Sequence, residues 1–572
     1  MKKIYYSLLL TIALCATEQS FGQVEKKFSV NGAARGIFYG DRLDQDVAVE
    51  DSVTIPRLNS GHVLVDLGLN IRPVKTMEIQ AMLRVRNDYG GFWGSGVTFD
   101  IRQLYVKGVI GGIVRYQLGD INYKMTRYTM WNYNQELSEY SPAVFGMQTD
   151  LVNYDHFYNK DNSWRQQGGA AEFGLVFSKY VKELQFHAVT SRMRMSDNSS
   201  VNDRMFSGFN IELVQSDYVK VGYNWANVYD ISGTSRNNNL LRNPVGTITA
   251  KVNVPVKQFE IFADAEAGRS KSWWTSDSLA PEWNGEFFDG QLGARQKDWG
   301  LTVSARFKRV DFEFRSAGSQ TKRIDFSTLP TAYQRITNDQ VYRNISMLDL
   351  MRESSLYNLQ LSNGLGAYNP KYDNITPYGE ATPNRMGSVY AIEYAPKKWP
   401  VKLNLEQSML TEVRGQGTTE VKSFTRTNIR LAFEKTEFLK SWKNRVFVGA
   451  SYRMDQTSRG AGEYYRAVDL ASNVMSIGAE IEVFKQFDVL LGYQSVAYSG
   501  FDFEARKNAY GETFNFAEYT VDGNESMRAI GLRYRFNDRA FLNAQYSAFQ
   551  LEDEYATGYR VDQIMLLYQM NF

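Results

Sequence analysis

Cysteine is all but missing from this sequence: Cys15 is the only one among 572 residues. If that residue leaves with an N-terminal leader, disulfide frameworks and thiolate chemistry are both excluded. Histidine is nearly as scarce, with only His62, His156 and His187, and no HExxH zinc pattern, phosphate loop or EF-hand loop occurs. Neither sign of charge dominates, since 65 basic residues stand against 63 acidic ones for a net charge of +2. That balance gives no electrostatic reason to expect nucleic acid as a partner. Beyond the first 22 residues no apolar run approaches the ~20 residues a membrane helix needs. The mean hydropathy of −0.41 would, taken alone, describe a soluble secreted protein.

Aromatic residues are abundant, at 14% of the chain with 36 Tyr, 34 Phe and 10 Trp, while proline numbers only 12. That composition favours strands. At the N-terminus Lys2 and Lys3 precede an apolar run from Leu8 to Leu14, and Ser20 and Gly22 supply small residues before a cut. Residues 1–22 are therefore expected to be a secretory signal removed before Gln23. Leu14 is too large for the small residue that precedes a lipidated cysteine, so Cys15 is not expected to be an anchor.

Periodicity overrules hydropathy. In VLVDLGLNI, Val63, Val65, Leu67, Leu69 and Ile71 alternate with Leu64, Asp66, Gly68 and Asn70. After a short turn the pattern restarts as MEIQAMLRVR, so 63–71 and 77–86 form a hairpin of the length that crosses a membrane. The same unit is predicted at 100–109 with 113–121, 169–178 with 183–192, 205–214 with 218–227, and 245–254 with 258–267. Further pairs are predicted at 299–307 with 309–316, 387–395 with 400–410, 425–434 with 445–453, 473–483 with 486–496, and 526–536 with 541–550. Connections within pairs are short; those between pairs are long and polar, above all 122–168 and 317–386.

Such sorted connections belong to a closed antiparallel transmembrane barrel, with tight periplasmic turns at one rim and long extracellular loops at the other. With single strands at 28–39 and 561–572 the count is about 22, within a range of 16 to 24, and residues 23–572 form one barrel domain. Closure is obligatory in lipid, where an unpaired strand edge has no water to satisfy it. The final segment, IMLLYQMNF, suits the closing strand: Ile564, Leu566, Tyr568, Met570 and Phe572 share one face. Here the sequence resembles bacterial outer-membrane β-barrel proteins, whose last strand commonly ends in Phe after apolar residues at every second position. The resemblance covers the mature chain and implies residence in the outer membrane, contact with its lipid, and recognition of the terminal strand by the barrel-assembly machinery.

The inner face carries the candidate functional residues. Arg84, Arg86, Lys107 and Arg115 are expected to project inward from early strands, and Glu260, Asp264 and Glu266 from a later pair. Glu480, Glu482 and Asp488 are expected to meet Arg528, Arg533 and Arg535, while His187 is a lone lumenal histidine more suited to lining than to catalysis. Such charges suit a water-filled pore of mixed sign or a barrel stiffened by cross-strand pairs. About 22 strands enclose more space than wall side chains can fill. No plug domain fits before the first strand, so loops or a partner must obstruct the lumen.

In the second loop, Ser346 and Asp349 can cap a short helix with Leu348, Met351 and Ser355 on one side. No catalytic, cofactor or metal site is predicted. Two functions remain open: a porin-like channel for passive passage of small hydrophilic solutes, or a non-conducting barrel subunit of an assembly, secretion or surface-binding complex whose long loops meet protein partners.

Overall fold

The computed structural model describes residues 27–44, 57–89, 97–131, 142–156, 166–275, 280–319, 348, 371, 374–435, 444–507, 513–555 and 558–572. The predicted signal segment 1–22 lies outside them, as do Ser346, Asp349, Met351 and Ser355. Among the described residues twenty-two strands follow one another. The first eight are β1 (Phe28–Asp44), β2 (Arg57–Val74), β3 (Met77–Asp88), β4 (Val97–Ile110), β5 (Val114–Ile121), β6 (Gln166–Val176), β7 (Glu183–Arg194) and β8 (Arg204–Val214). Next come β9 (Val219–Asp230), β10 (Leu241–Val256), β11 (Phe259–Trp274), β12 (Trp283–Gln296), β13 (Leu301–Val310), β14 (Arg385–Tyr394) and β15 (Val401–Thr411). The last seven are β16 (Ser423–Lys435), β17 (Val446–Arg459), β18 (Val468–Phe484), β19 (Phe487–Lys507), β20 (Thr513–Asn537), β21 (Ala540–Asp553) and β22 (Tyr559–Asn571).

Each strand pairs antiparallel with its sequence neighbours, and β22 returns to β1 in a register running from Ala33 opposite Asn571 to Asp44 opposite Arg560. Gly32 and Phe572 add two backbone hydrogen bonds of 2.9 and 3.0 Å. The sheet therefore has no edge, which lipid requires because each unsatisfied backbone group there costs several kcal/mol. Tight turns such as Lys75–Thr76 and Lys257–Gln258 lie at one end and the long connections at the other. In barrels of this kind the tight-turn end is periplasmic.

Alternation divides the strands between lipid and lumen. On β22, Ile564 is 54% exposed while its neighbours Met565 and Leu567 are buried at 1% and 0%. Leu566, Tyr568 and Phe572 share the outer face with Ile564. Outer positions of other strands, such as Leu83, Ile248, Leu292, Ile477, Ile530 and Leu532, complete an apolar surface. An exposed apolar belt around a closed sheet is stable only in lipid. No helix among the described residues is long and apolar enough to cross a membrane.

The strand count agrees with expectation, but one pair is displaced. The predicted strand 309–316 is not one: β13 stops at Val310, and Asp311 to Phe314 turn inward, with the Phe314 N–H donating to the Asp311 carbonyl at 3.2 Å. Its alternating Val310, Phe312 and Phe314 read as a lipid face, yet Val310 and Phe314 are buried inside the barrel. The true partner of β13 is β12, which periodicity missed because Phe287 and Phe288 put apolar side chains on both faces. A second departure is a helix, α1 (Ala143–His156), where only a polar connection was expected. Pro142 precedes it, at a helix start where a missing N–H costs nothing. Val144, Met147, Leu151 and Tyr154 recur at helical spacing.

Candidate functional site

The lumen has two unlike sectors. From β18 through β22 to β1 the inner wall carries an apolar patch: Leu470, Leu490, Val496, Met527, Ala529, Phe549 and Val561 form one buried cluster with Val144 and Phe145 of α1 and with Leu348. Beside it, Ile37, Tyr39, Met565 and Leu567 pack with Met147 and Leu151. Inward apolar side chains in a wide barrel would face water unless covered, and burying each contributes about 1.5–3 kcal/mol. The helix is the cover. Gly478 and Gly492 make the close approach possible, since a Cβ at either would lie 2.4 Å from Pro142 or Val144. The Gln545 amide donates to the Val144 carbonyl at 2.9 Å.

With a length of about 21 Å for fourteen residues, α1 reaches the early strands as well. There the Tyr154 hydroxyl donates to Asp66 at 3.3 Å, and the Arg102 guanidinium stands 4.5 Å from its ring. One sector of the lumen is thus filled by a helix anchored at both ends.

From β7 to β13 the tight-turn half of the wall is polar, while towards the other end loop segments 122–131, 311–319 and 374–384 are fastened against it, in part through apolar contacts of Met193, Phe206, Val228 and Phe287. Tyr128 stacks on Phe287 at 3.8 Å and meets Phe314 edge-on, so the aromatic residues of β12 and of the segment after β13 hold the first loop. Ser316 donates its hydroxyl to the Tyr128 carbonyl at 2.7 Å, and the Trp131 N–H donates to the Gly318 carbonyl at 3.2 Å. Asn243 of β10 accepts from the Ala317 N–H at 3.0 Å and donates to the Arg315 carbonyl at 2.9 Å. The loops grip both the wall and each other.

A charge network completes the attachment. Arg306 of β13 donates through Nε to Asp289 at 2.6 Å, contacts the second Asp289 oxygen through Nη2, and reaches Glu380 through Nη1 at 2.9 Å. Lys308, only 2% exposed, donates to Glu380 at 3.2 Å. Burial alone would raise the Glu380 carboxyl, but the adjacent Arg306 and Lys308 charges hold it well below the usual carboxylate range. Burial keeps the Tyr128 hydroxyl well above its usual range, so it remains a donor, to Asp289 at 2.8 Å.

Between this attachment and the tight-turn half of the wall lies a cavity of about 480 Å³. Lys124, Arg127 and Trp131 of the first loop line one side, and His187, Asn210, Asn224, Lys251, Asp264 and Gln291 the wall. Among the described residues no group of three or more His, Cys, Asp and Glu side chains could hold a metal ion.

The residues singled out from sequence are scattered by the fold. Arg84 makes a two-pronged contact with Asp66, both bonds 2.7 Å, beside Tyr154, and Arg86 donates to Asp88 at 2.8 Å. Lys107 pairs with Glu78 at 3.1 Å towards the tight-turn end, where Arg115 pairs with Glu172 at 3.2 Å. His187 also approaches Glu172, at 3.1 Å. Glu260 lies near the same end, paired with Arg295 at 3.2 Å and Lys297 at 2.5 Å. Of the residues singled out from sequence, His187, Asp264 and Glu266 line the cavity, and Glu266 accepts from Thr126 at 2.6 Å.

Asp488, wholly buried, accepts from Arg533 and Arg535 at 2.9 Å each, and Arg535 also reaches Glu482 at 2.6 Å. Arg533 contacts Glu480 as well. Arg528 does not join them: it lies between the inward-facing Met527 and Ala529 and is exposed on the outer face, because alternation places 528 opposite in sense to 533 and 535. Arg127, Tyr128, Lys251, Asp289, Arg306, Lys308 and Glu380 escaped the sequence reading. The density of aromatic residues in the first loop was the one signal pointing towards them.

No protein-family model matches the sequence, and no curated protein matches it. Among solved structures, the chain is similar to Pseudomonas aeruginosa OccK2 (OpdF), at 9% identity over 95% of this chain and 98% of that one, with a TM-score of 0.35. It is similar to a BenF-like porin from Pseudomonas fluorescens Pf-5, at 9% identity over 96% and 100%, also with a TM-score of 0.35. A loop-deletion mutant of OmpT, an outer membrane protein of Vibrio cholerae, matches at 7% identity over 96% and 100%, with a TM-score of 0.28. At these values the strand pairing carries the assignment by itself. With its sheet closed by β1 and β22 and an apolar belt facing outward, the chain is a closed antiparallel transmembrane β-barrel.

Proposed function

We propose that the protein is a porin-like channel for passive passage of small hydrophilic solutes, with passage confined to the polar sector from β7 to β13. The observation that supports it is the contrast inside one lumen: α1 covers an apolar wall, while opposite it a cavity of about 480 Å³ is lined by charged and amide side chains. Side chains of that kind can replace part of a solute's hydration shell, which an apolar passage does not. The closing strand, Ile564 to Phe572, would serve as the signal for the barrel-assembly machinery, and the outer belt would contact outer-membrane lipid.

Reconstitution of the purified full chain into planar bilayers tests this reading. Stable open-channel steps, reduced by Asn224→Trp in the cavity wall, are expected. Electrical silence, together with proteins that co-purify through the long loops, would instead favour a non-conducting subunit of an outer-membrane complex.

A further inference from the structure

The inner wall is crowded with charge, and most of that charge is neutralised locally. Arg84 is satisfied by Asp66, Arg306 by Asp289 and Glu380, Arg426 by Asp455, and Arg533 by Asp488. Among the charges that line the cavity, Arg127, Lys251, Asp264 and Glu266 take part in no such pair among the described residues. Arg127 lies over the ring of Trp131, 5.7 Å from its centroid, and makes no ion pair among the described residues. Neither Lys251 nor Asp264 makes one, although they face each other in register on β10 and β11. Register partners of this kind have Cβ atoms about 5 Å apart. The cavity thus presents cations, carboxylates and an aromatic ring within a single chamber.

We infer that this chamber recognises small zwitterions of the amino-acid or short-peptide class; the inference rests on the channel reading above. A solute carboxylate is received by Arg127 and Lys251, and its ammonium group by Asp264. Trp131 offers a surface for an apolar side chain. A simple anion gains the two cations but meets Asp264, a simple cation meets the opposite conflict, and a neutral solute engages neither charge. A solute carrying both signs engages the cations and Asp264 together, whereas a solute of one sign meets a like charge beside its partner.

The test is swelling of proteoliposomes containing the full chain in alanine, lactamide or lactate, three solutes of nearly the same size that differ in charge. Alanine is expected to enter several-fold faster than either of the others, and Asp264→Asn or Lys251→Gln to remove that preference. Lys182→Gln, on a tight turn outside the cavity, should retain it. Heat-modifiable migration in gels establishes that each variant is folded. Block of the ion current by alanine but not lactamide in the unaltered protein gives a reading that needs no variant. Equal entry of all three solutes, or a preference that survives both substitutions, overturns the inference while leaving the channel intact. Entry of none of them overturns the channel reading, and the inference with it.

Discussion

The two sectors of the lumen are built from strands of the same kind, yet what meets their inner faces differs: a helix seated on an apolar patch in one, and loops that leave a polar cavity in the other. Along β18 to β1 the inward positions include the apolar Leu490, Met527, Phe549, Met565 and Leu567, each exposed by 1% or less, with Asp488, Glu525 and Asn543 buried on the same strands. Along β7 to β13 they include His187, Asn210, Asn224, Lys251, Asp264 and Arg306. The difference shows what each wall was selected to meet. An apolar wall inside a barrel signals a permanent occupant, because its exposure to water would be unfavourable at every residue. A polar wall signals water or a hydrated solute. The plug in this barrel is accordingly a built-in helix, and its seat is encoded in the strands as much as in α1.

Closure precedes both sectors, so removing it has the largest expected effect. Deleting Phe572 takes away the backbone pair with Gly32 and the aromatic ring beside that glycine. Heat-modifiable, membrane-inserted protein should fall sharply, and normal levels would count against the role of this residue in closure. Next comes the seat of α1. Phe145→Ala should cost about 3–5 kcal/mol of packing and produce larger, noisier currents as the apolar sector admits water. Unchanged currents would mean that the helix is not what closes that sector.

The attachment of the polar sector should respond less and differently. Glu380→Gln leaves Lys308 and Arg306 with one carboxylate fewer, a loss of about 3–5 kcal/mol where the pair is fully buried and less here, since Glu380 is 29% exposed. Faster gating with an unchanged apolar seat is the expected record in bilayers. The pH dependence follows from the sign of the shift. The Glu380 carboxyl is held below its unfolded value, so its contribution is complete above the ordinary glutamate pKa of about 4.3 and is lost as pH falls through the depressed folded value. Gating should therefore be flat from pH 7 to about 5 and rise only in stronger acid; a change near neutrality would assign it to another group. The smallest effect is expected at Arg72→Gln, whose partner Glu78 is also held by Lys107. The Arg72 side chain is 56% exposed, and exposed pairs contribute about 0–1 kcal/mol, so thermal stability should barely move.

Architecture was legible in the sequence because lipid imposes a period of two on every strand and a long-short rhythm on every connection. Errors arose where lipid was not the solvent. Val310, Phe312 and Phe314 alternate like a membrane strand, but two of them are buried against Tyr128 and its neighbours. Phe287 and Phe288 hide the alternation of β12 for the same reason, since one faces lipid and the other a folded-in loop. Met565 and Leu567, which blur the closing strand, are explained by Met147 and Leu151 lying against them. The cavity was less legible. Its chemistry joins a loop near residue 127 to strands that run from residue 187 to beyond residue 290, and no local pattern records those meetings. Of the charges proposed from parity, Asp264 and Glu266 reached the cavity because β11 keeps strict alternation, whereas the early arginines are spent on Asp66 and Asp88.

The central claim is that water reaches one sector of the lumen and not the other. The sequence has a single cysteine, Cys15, so introduced thiols can be read one at a time. Asn210→Cys places a thiol in the cavity wall, and Met527→Cys places one beneath α1. A charged thiosulfonate reagent applied to single channels in a planar bilayer should lower the current through Asn210→Cys within seconds and leave Met527→Cys unchanged. Rapid modification of Met527→Cys with Asn210→Cys inert would contradict the account.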